Sequence, residues 1–309
     1  AAAAGAAVVR LPVGGLERGA GVRALASFPR ARTLAARHDL VYLNGTVAGR
    51  LLPAVGGART VLHVHDMVQR VPGFWRRADV VLADSQAVAD RLDGLHPHVV
   101  GCPIEPAPRR VEAPWVSNGR PVVGFVGRIE PRKGALDFVR IAPVLEAAGA
   151  HVVLVGDDPY GSDPAYVERV RASGVESYGW IDDAAGVMDQ LDVLVVPSHE
   201  EPFGTVLAEA MNAGTPVVAT RVGGLPEVVE EEGTGFLREV GDVDGMAEAA
   251  LSILENPTFA RLLGEAGRRT AVERFTTDAV IPQYLDYYRE VIERFDPHPT
   301  EGRHCRYVR

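Results

Sequence analysis

The chain has 309 residues, 47% of them apolar and 24% charged, with a formal net charge of −9. That length suits two domains of ordinary size, and the apolar content suits a globular protein with a sizeable core. No apolar run approaches a membrane span, and Cys102 and Cys305 are too few for a disulfide framework and lack metal-ligand spacing.

The charge is uneven. Residues 1–108 carry a net +4 and the remainder −13. A basic first part leaves open an anionic acceptor or peripheral contact with an acidic membrane surface, although a solvated arginine face is the plainer reading. Lys133 is the single lysine among 32 basic residues. Where arginine serves everywhere else, a lone ammonium suggests a site that wants a compact cation, as phosphate sites often do. The alanine-rich opening lacks the features of a secretory leader, so a reducing, cytoplasmic compartment is expected.

In chain order, residues 7–11 read as a strand, followed by a turn at Gly14 and Gly15 and a basic helical segment over 22–37 interrupted by Pro29. Strands are expected at 40–43, 60–65, 79–83 and 98–100, with a helix from about Val47. Another helix should run to Leu92, capped by Asp84 or Ser85. This alternation predicts a parallel sheet covered on both faces. Residues 101–120 crowd Pro103, Pro106, Pro108, Pro114, Ser117, Asn118 and Gly119 without periodicity and read as a linker.

A second alternating set follows. Strands are expected at 121–127, 151–156, 176–178, 191–196 and 215–219, and helices at 134–148, 166–172 and from Gly204. Three helices over 243–255, 257–273 and 278–295 close the set, ahead of a loose tail at 297–309. The expected organisation is a first domain over 1–108, a second over 109–277, and a closing helix in 278–296 that returns toward the first. Two such sheets should face each other across a cleft.

Two stretches carry chemistry. The first runs Gly127-Arg128-Ile129-Glu130-Pro131-Arg132-Lys133-Gly134, between a buried strand and a helix. Its glycines let backbone N–H groups approach a ligand, and its cations can neutralise a diphosphate. It is neither a Walker loop nor a dinucleotide fingerprint. The second runs from Glu201 to Glu209, where two carboxylates bracket the turn into a helix directly after a strand. A helix N-terminus at a sheet's carboxyl edge favours anions, and carboxylates there suit hydroxyls. His63 and His65 face one side of a strand and could mimic two metal ligands, but the sequence offers no third; a histidine pair in the core or at its rim is the alternative. Asp157 and Asp158 read as a loop or capping pair, and Asp242-Val243-Asp244 as a helix cap rather than a metal site.

These motifs resemble the donor-binding half of the GT-B fold, in the retaining glycosyltransferases of family 4. The match lies in Gly127-Arg128, Lys133-Gly134, Val155-Gly156-Asp157, Gly179, Pro197-Ser198, and the signature from Glu201-Pro202-Phe203-Gly204 through Glu209-Ala210-Met211 (E-x7-E). It continues in order through Gly214-Thr215-Pro216, Gly223-Gly224, Glu227 and Gly233-Thr234-Gly235-Phe236. The resemblance implies an α/β protein of two Rossmann-like domains and a metal-independent, cofactor-free transfer of a hexose-type sugar from a nucleotide-diphosphate sugar. The family retains anomeric configuration, by the usual proposal of a front-face reaction.

By the same resemblance, Arg128 and Lys133 would hold the diphosphate beside Gly127 and Gly156, and Glu209 the ribose. Glu201 with the N–H groups of Phe203 and Gly204 would hold the sugar, and Thr205, Val206 and Leu207 would offer backbone donors. Gly179 and its neighbours would line the base pocket, and His65 would contact the transferred sugar. The acceptor is left open as a small molecule, glycan or lipid-linked group, and no nucleic-acid partner is expected. The first domain reads as short by several elements against the family. A non-catalytic nucleotide-sugar-binding protein is therefore the second reading, with a nucleotide-sugar 2-epimerase well behind it.

Overall fold

Short apolar runs set between glycine- or proline-bearing turns become the strands of two separate parallel sheets. The computed structural model describes residues 9–15, 20–116 and 118–294. Two compact units emerge: Ala1–Asp84 with Ala89–Val100 and Gln283–Arg309, and Ser85–Val88 with Gly101–Pro282. The chain leaves the first unit at Asp84, returns at Ala89 and leaves again at Val100, ahead of the expected 108/109 boundary, and the closing helix divides at Pro282. The tail at 297–309 and Ser117 of the linker lie outside the described residues.

The first unit opens with α1 (Arg23–Ala35), which runs through Pro29 instead of stopping at it. Then come β1 (Val41–Asn44), a 3-10 segment at Ala48–Ala54, β2 (Thr60–Val64), a second at Gly73–Arg77, β3 (Val80–Ala83), the short α2 (Gln86–Ala89), most of which falls in the second unit, and β4 (His98–Val99). The four strands are parallel in the order β1-β2-β3-β4. Every residue of β2 and β3 is buried, which explains why they read as continuous apolar runs and not as alternating ones.

Three expectations fail here. Val9 to Leu11 form no strand, with Val9 exposed; residues 7 and 8 lie outside the described region. The helix expected from Val47 is a 3-10 turn. The helix expected to reach Leu92 ends at Ala89. Ser85 caps it, its hydroxyl accepting from the Val88 N–H at 3.1 Å, whereas Asp84 turns toward two histidines.

The second unit contains β5 (Val122–Val126), α3 (Ala135–Ala147), β6 (His151–Val155), α4 (Pro164–Arg171), β7 (Glu176–Ser177), β8 (Val193–Val196) and α5 (Thr205–Ala213). It continues with β9 (Val217–Thr220), α6 (Leu225–Val228), β10 (Gly235–Arg238), α7 (Val243–Leu254), α8 (Pro257–Arg274) and α9 (Thr277–Arg294), the last shared with the first unit. All neighbours are parallel, in the order β10-β9-β8-β5-β6-β7. That is the doubly wound order, in which the chain starts at the centre and winds outward twice. Its switch point lies between β5 and β8, and ligands of such sheets bind outside the carboxyl ends of those strands.

Successive residues of each strand feed opposite cores. Val123, Phe125, Val152, Leu154, Val193 and Val195 pack on one face with α3, α4 and α7. Val122, Val126, Val153, Val155, Leu194 and Val196 pack on the other with Leu207, Met211 and Ala271 of α5 and α8. The Asp242 side chain accepts from the Gly245 N–H at 3.0 Å and caps α7. Strand β10 was read from sequence only as a glycine motif, because Gly235 and Phe236 give too short an apolar run to declare it.

Candidate functional site

A pocket of about 410 Å³ opens at that switch point of the second unit. Each wall comes from the carboxyl end of one strand: Gly127 and Arg128 after β5, Gly156 after β6, Trp180 to Ala184 after β7, and Ser198 and Glu201 after β8. Lys133 completes the loop side, and Thr205, Val206 and Glu209 of α5 form the floor.

The loop after β5 is held by an acid that the sequence reading left without a role. Glu130, largely buried, lies 3.3 Å from the Arg128 guanidinium and 2.8 Å from that of Arg132. Arg128 also sits over the Tyr160 ring, 5.8 Å from its centre. The cation is thereby aimed before any ligand arrives. The signal was present in the spacing of the three charges, but a loop acid beside two arginines usually marks only solvated charge.

Lys133 donates to the Glu201 carboxylate, with side-chain exposures of 17% and 8%. The resemblance gives Lys133 the diphosphate and Glu201 the sugar; in the structure the two side chains are also partners of each other. The Ser198 hydroxyl lies 3.5 Å from the same carboxylate oxygen. Gly134 makes this approach feasible. Its φ is +70°, and a Cβ there would stand 1.9 Å from the Pro197 carbonyl oxygen, so only glycine lets the lysine loop lie against the end of β8. Gly156 plays the same part between β6 and β5, since its Cβ would meet the Gly127 carbonyl at 1.8 Å.

Helix α5 follows Gly204 as its N-cap and points its first turn into the pocket. The Leu207 N–H already donates to the Gly204 carbonyl at 2.9 Å, and the Leu207 side chain is fully buried. The pocket-lining residues of this turn whose N–H groups helix geometry leaves without intrahelical partners are therefore Thr205 and Val206. Phe203 packs on Phe275 with ring centres 5.5 Å apart and is 5% exposed. Phe203, Gly204, Leu207 and Gly179 do not line the pocket. Gly179 sits behind it, accepting the Gly156 N–H at 2.7 Å, and the wall expected of it is made by Trp180 and the residues after it. Trp180 is 55% exposed, and its indole N–H donates to Asp182 at 3.1 Å. His65 belongs to the first unit, at the carboxyl end of β2.

Glu209 behaves unlike an ordinary surface acid. Burial pushes its carboxyl up to about 7, and Asp183 adds to the shift. Between about pH 4.5 and 7 the folded protein thus keeps a proton that the unfolded chain has released. Stability contributed by this group is full below the lower value and declines as the pH rises through the upper one, by about 3 kcal/mol in all. In Glu209→Gln this decline should vanish from denaturant midpoints measured between pH 4.5 and 8. An unchanged slope would remove Glu209 as its source.

Residues 120–256 match the family model described as Glycosyl transferases group 1. The chain is 31% identical over 182 residues to N-acetyl-alpha-D-glucosaminyl L-malate synthase of Bacillus anthracis, covering 57% of this chain and 47% of that protein. It spans about half the length of several curated relatives that it matches. Sucrose-phosphate synthase from Thermosynechococcus elongatus superposes with a TM-score of 0.76 at 26% identity, covering 93% of this chain and 83% of that one. Anabaena HepE, solved in complex with UDP-glucose, superposes with a TM-score of 0.75 at 23% identity, covering 85% and 82%, a likeness that speaks for the fold.

Proposed function

Because residues 120–256 match the family model of the group 1 glycosyl transferases, we propose that the chain moves a hexose-type sugar from a nucleotide-diphosphate sugar to a hydroxyl acceptor, with retention of anomeric configuration and without a metal at the diphosphate. The observation that carries this reading is the gathering of Arg128, Lys133, the first turn of α5, Glu201 and Glu209 in one pocket at the sheet's switch point. Breaking the anomeric bond sends negative charge onto the departing diphosphate. Two fixed cations and a helix N-terminus meet that charge without reorganising, in the place a divalent ion would otherwise take. The carboxylates are left for hydroxyl groups, Glu201 toward the sugar and Glu209 toward the ribose. They position the donor; the leaving phosphate takes the acceptor's proton.

The elevated Glu209 gives this reading a consequence in pH. Hydroxyls donate to a carboxylate better than to a carboxylic acid, so donor binding draws Glu209 to its ionised form and releases its proton. Donor affinity should rise with pH up to about 7 and then level. The donor is read as a UDP-sugar by analogy with the Anabaena complex. Incubating the purified chain with UDP-, GDP-, ADP- and dTDP-hexoses tests the assignment. Sugar transfer or slow donor hydrolysis with one of them supports it. Saturable binding of a donor with no turnover under any acceptor would instead favour a non-catalytic binding protein.

A further inference from the structure

Within the first unit, the parallel register sets Asn44 opposite His63 and Val64 opposite Ala83, so the residues that follow β2 and β3 stand side by side at the carboxyl edge. There the Asp84 carboxylate bridges two imidazoles. Its Oδ1 lies 2.8 Å from His63 Nε2, and its Oδ2 lies 2.8 Å from His65 Nδ1. The ring nitrogens facing away have partners of their own, His63 Nδ1 with the Tyr42 hydroxyl at 2.5 Å and His65 Nε2 with the Asn44 side-chain oxygen. None of these residues lines the donor pocket.

The geometry points to a divalent transition-metal site of the zinc class, built from His63 Nε2, His65 Nδ1 and the Asp84 carboxylate. These ligand atoms all lie within 4.8 Å of one another. An ion with bonds of about 2.0–2.2 Å sets its ligand atoms roughly 3.3 Å apart, so the 2.8 Å contacts need to open by only about half an ångström. His63 is wholly buried and Asp84 nearly so, yet His63 Nε2 and Asp84 Oδ1 form no hydrogen bond with each other or with any other described group. With a proton on Nε2 the pair is out of line; without one, two lone pairs face each other. A cation between them resolves both cases. The outer contacts from Tyr42 and Asn44 are those that fix ring orientation around bound metals. The His65 side chain is 33% exposed, which provides the entry path and leaves the remaining coordination positions to water or a ligand oxygen. The sequence hid this site because Asp84 lies far from the histidines along the chain and reads as a helix cap.

Calorimetric titration of the EDTA-stripped full chain with Zn²⁺, in a Cys305→Ser background that removes the tail thiol, tests the proposal. One saturable equivalent is expected, with Co²⁺ in its place giving the visible absorption of a nitrogen- and oxygen-bound ion. His65→Ala, at the exposed member, should weaken Zn²⁺ at least about tenfold while leaving the fold intact, and Asp84→Asn should do the same. Equal binding by the wild type and His65→Ala, no saturable binding, or Mg²⁺ binding as well as Zn²⁺ would overturn it and leave Asp84 as a hydrogen-bonding brace for two histidines.

Discussion

Replacing Lys133 by alanine is expected to lower transfer from the nucleotide-diphosphate sugar about 100- to 1,000-fold, the scale seen when one fixed donor to developing negative charge is removed. The same substitution leaves Glu201, 8% exposed, without its cationic partner. Breaking a buried ion pair from one side destabilises by about 3–5 kcal/mol, because the remaining charge stays desolvated. The two effects separate in a double variant. Lys133→Ala with Glu201→Gln should recover much of the stability and none of the transfer, since a neutral amide needs no cation while the diphosphate still does. Lys133→Arg should not restore transfer. A planar guanidinium cannot occupy the place of a compact ammonium in a loop pressed against the end of β8. Unchanged turnover in Lys133→Ala would remove the lysine from the site.

Gly134→Ala tests the backbone that delivers that lysine. At φ +70° with the Pro197 carbonyl 1.9 Å from the new methyl, neither the residue nor its neighbour can yield cheaply, because both are backbone. Strain and forced displacement together should cost about 3 kcal/mol or more, visible as a melting temperature lower by roughly 6–12 °C for a domain of this size. Donor affinity should fall with it, as the loop carrying Arg128 and Lys133 backs away from Glu201. A melting temperature within a degree of wild type would contradict the close approach.

The doubly wound second unit was legible because its strands are fully buried and its helices begin at recognisable turns. The E-x7-E spacing places Glu201 before α5 and Glu209 within it. Strand order was not legible: no property of β5 or β8 in isolation says that they are neighbours at the centre of the sheet. Individual pocket-lining residues were legible only to within a residue or two. Leu207 follows Thr205 and Val206 in sequence, yet its N–H closes the first turn onto Gly204 and its side chain enters the core. Of Gly179 and its neighbours, expected together as pocket wall, Trp180 and the residues after it line the pocket while Gly179 accepts from Gly156 behind it. The contacts of Glu130 and Asp84 were not legible for a common reason. An acid's function depends on which cations and imidazoles the tertiary fold brings to it, and local spacing gives that only by chance.

The central claim is that fixed cations, not a divalent ion, hold the donor's diphosphate in the second unit. Isothermal titration with UDP-hexose in EDTA, on the wild type and Arg128→Ala, tests it most directly. The account predicts one equivalent bound by the wild type with affinity unchanged by EDTA, and a loss of about tenfold or more in Arg128→Ala, as expected for a charge-assisted contact of about 1.5–3 kcal/mol. Wild-type binding that requires Mg²⁺, or equal affinity in the variant, would contradict it.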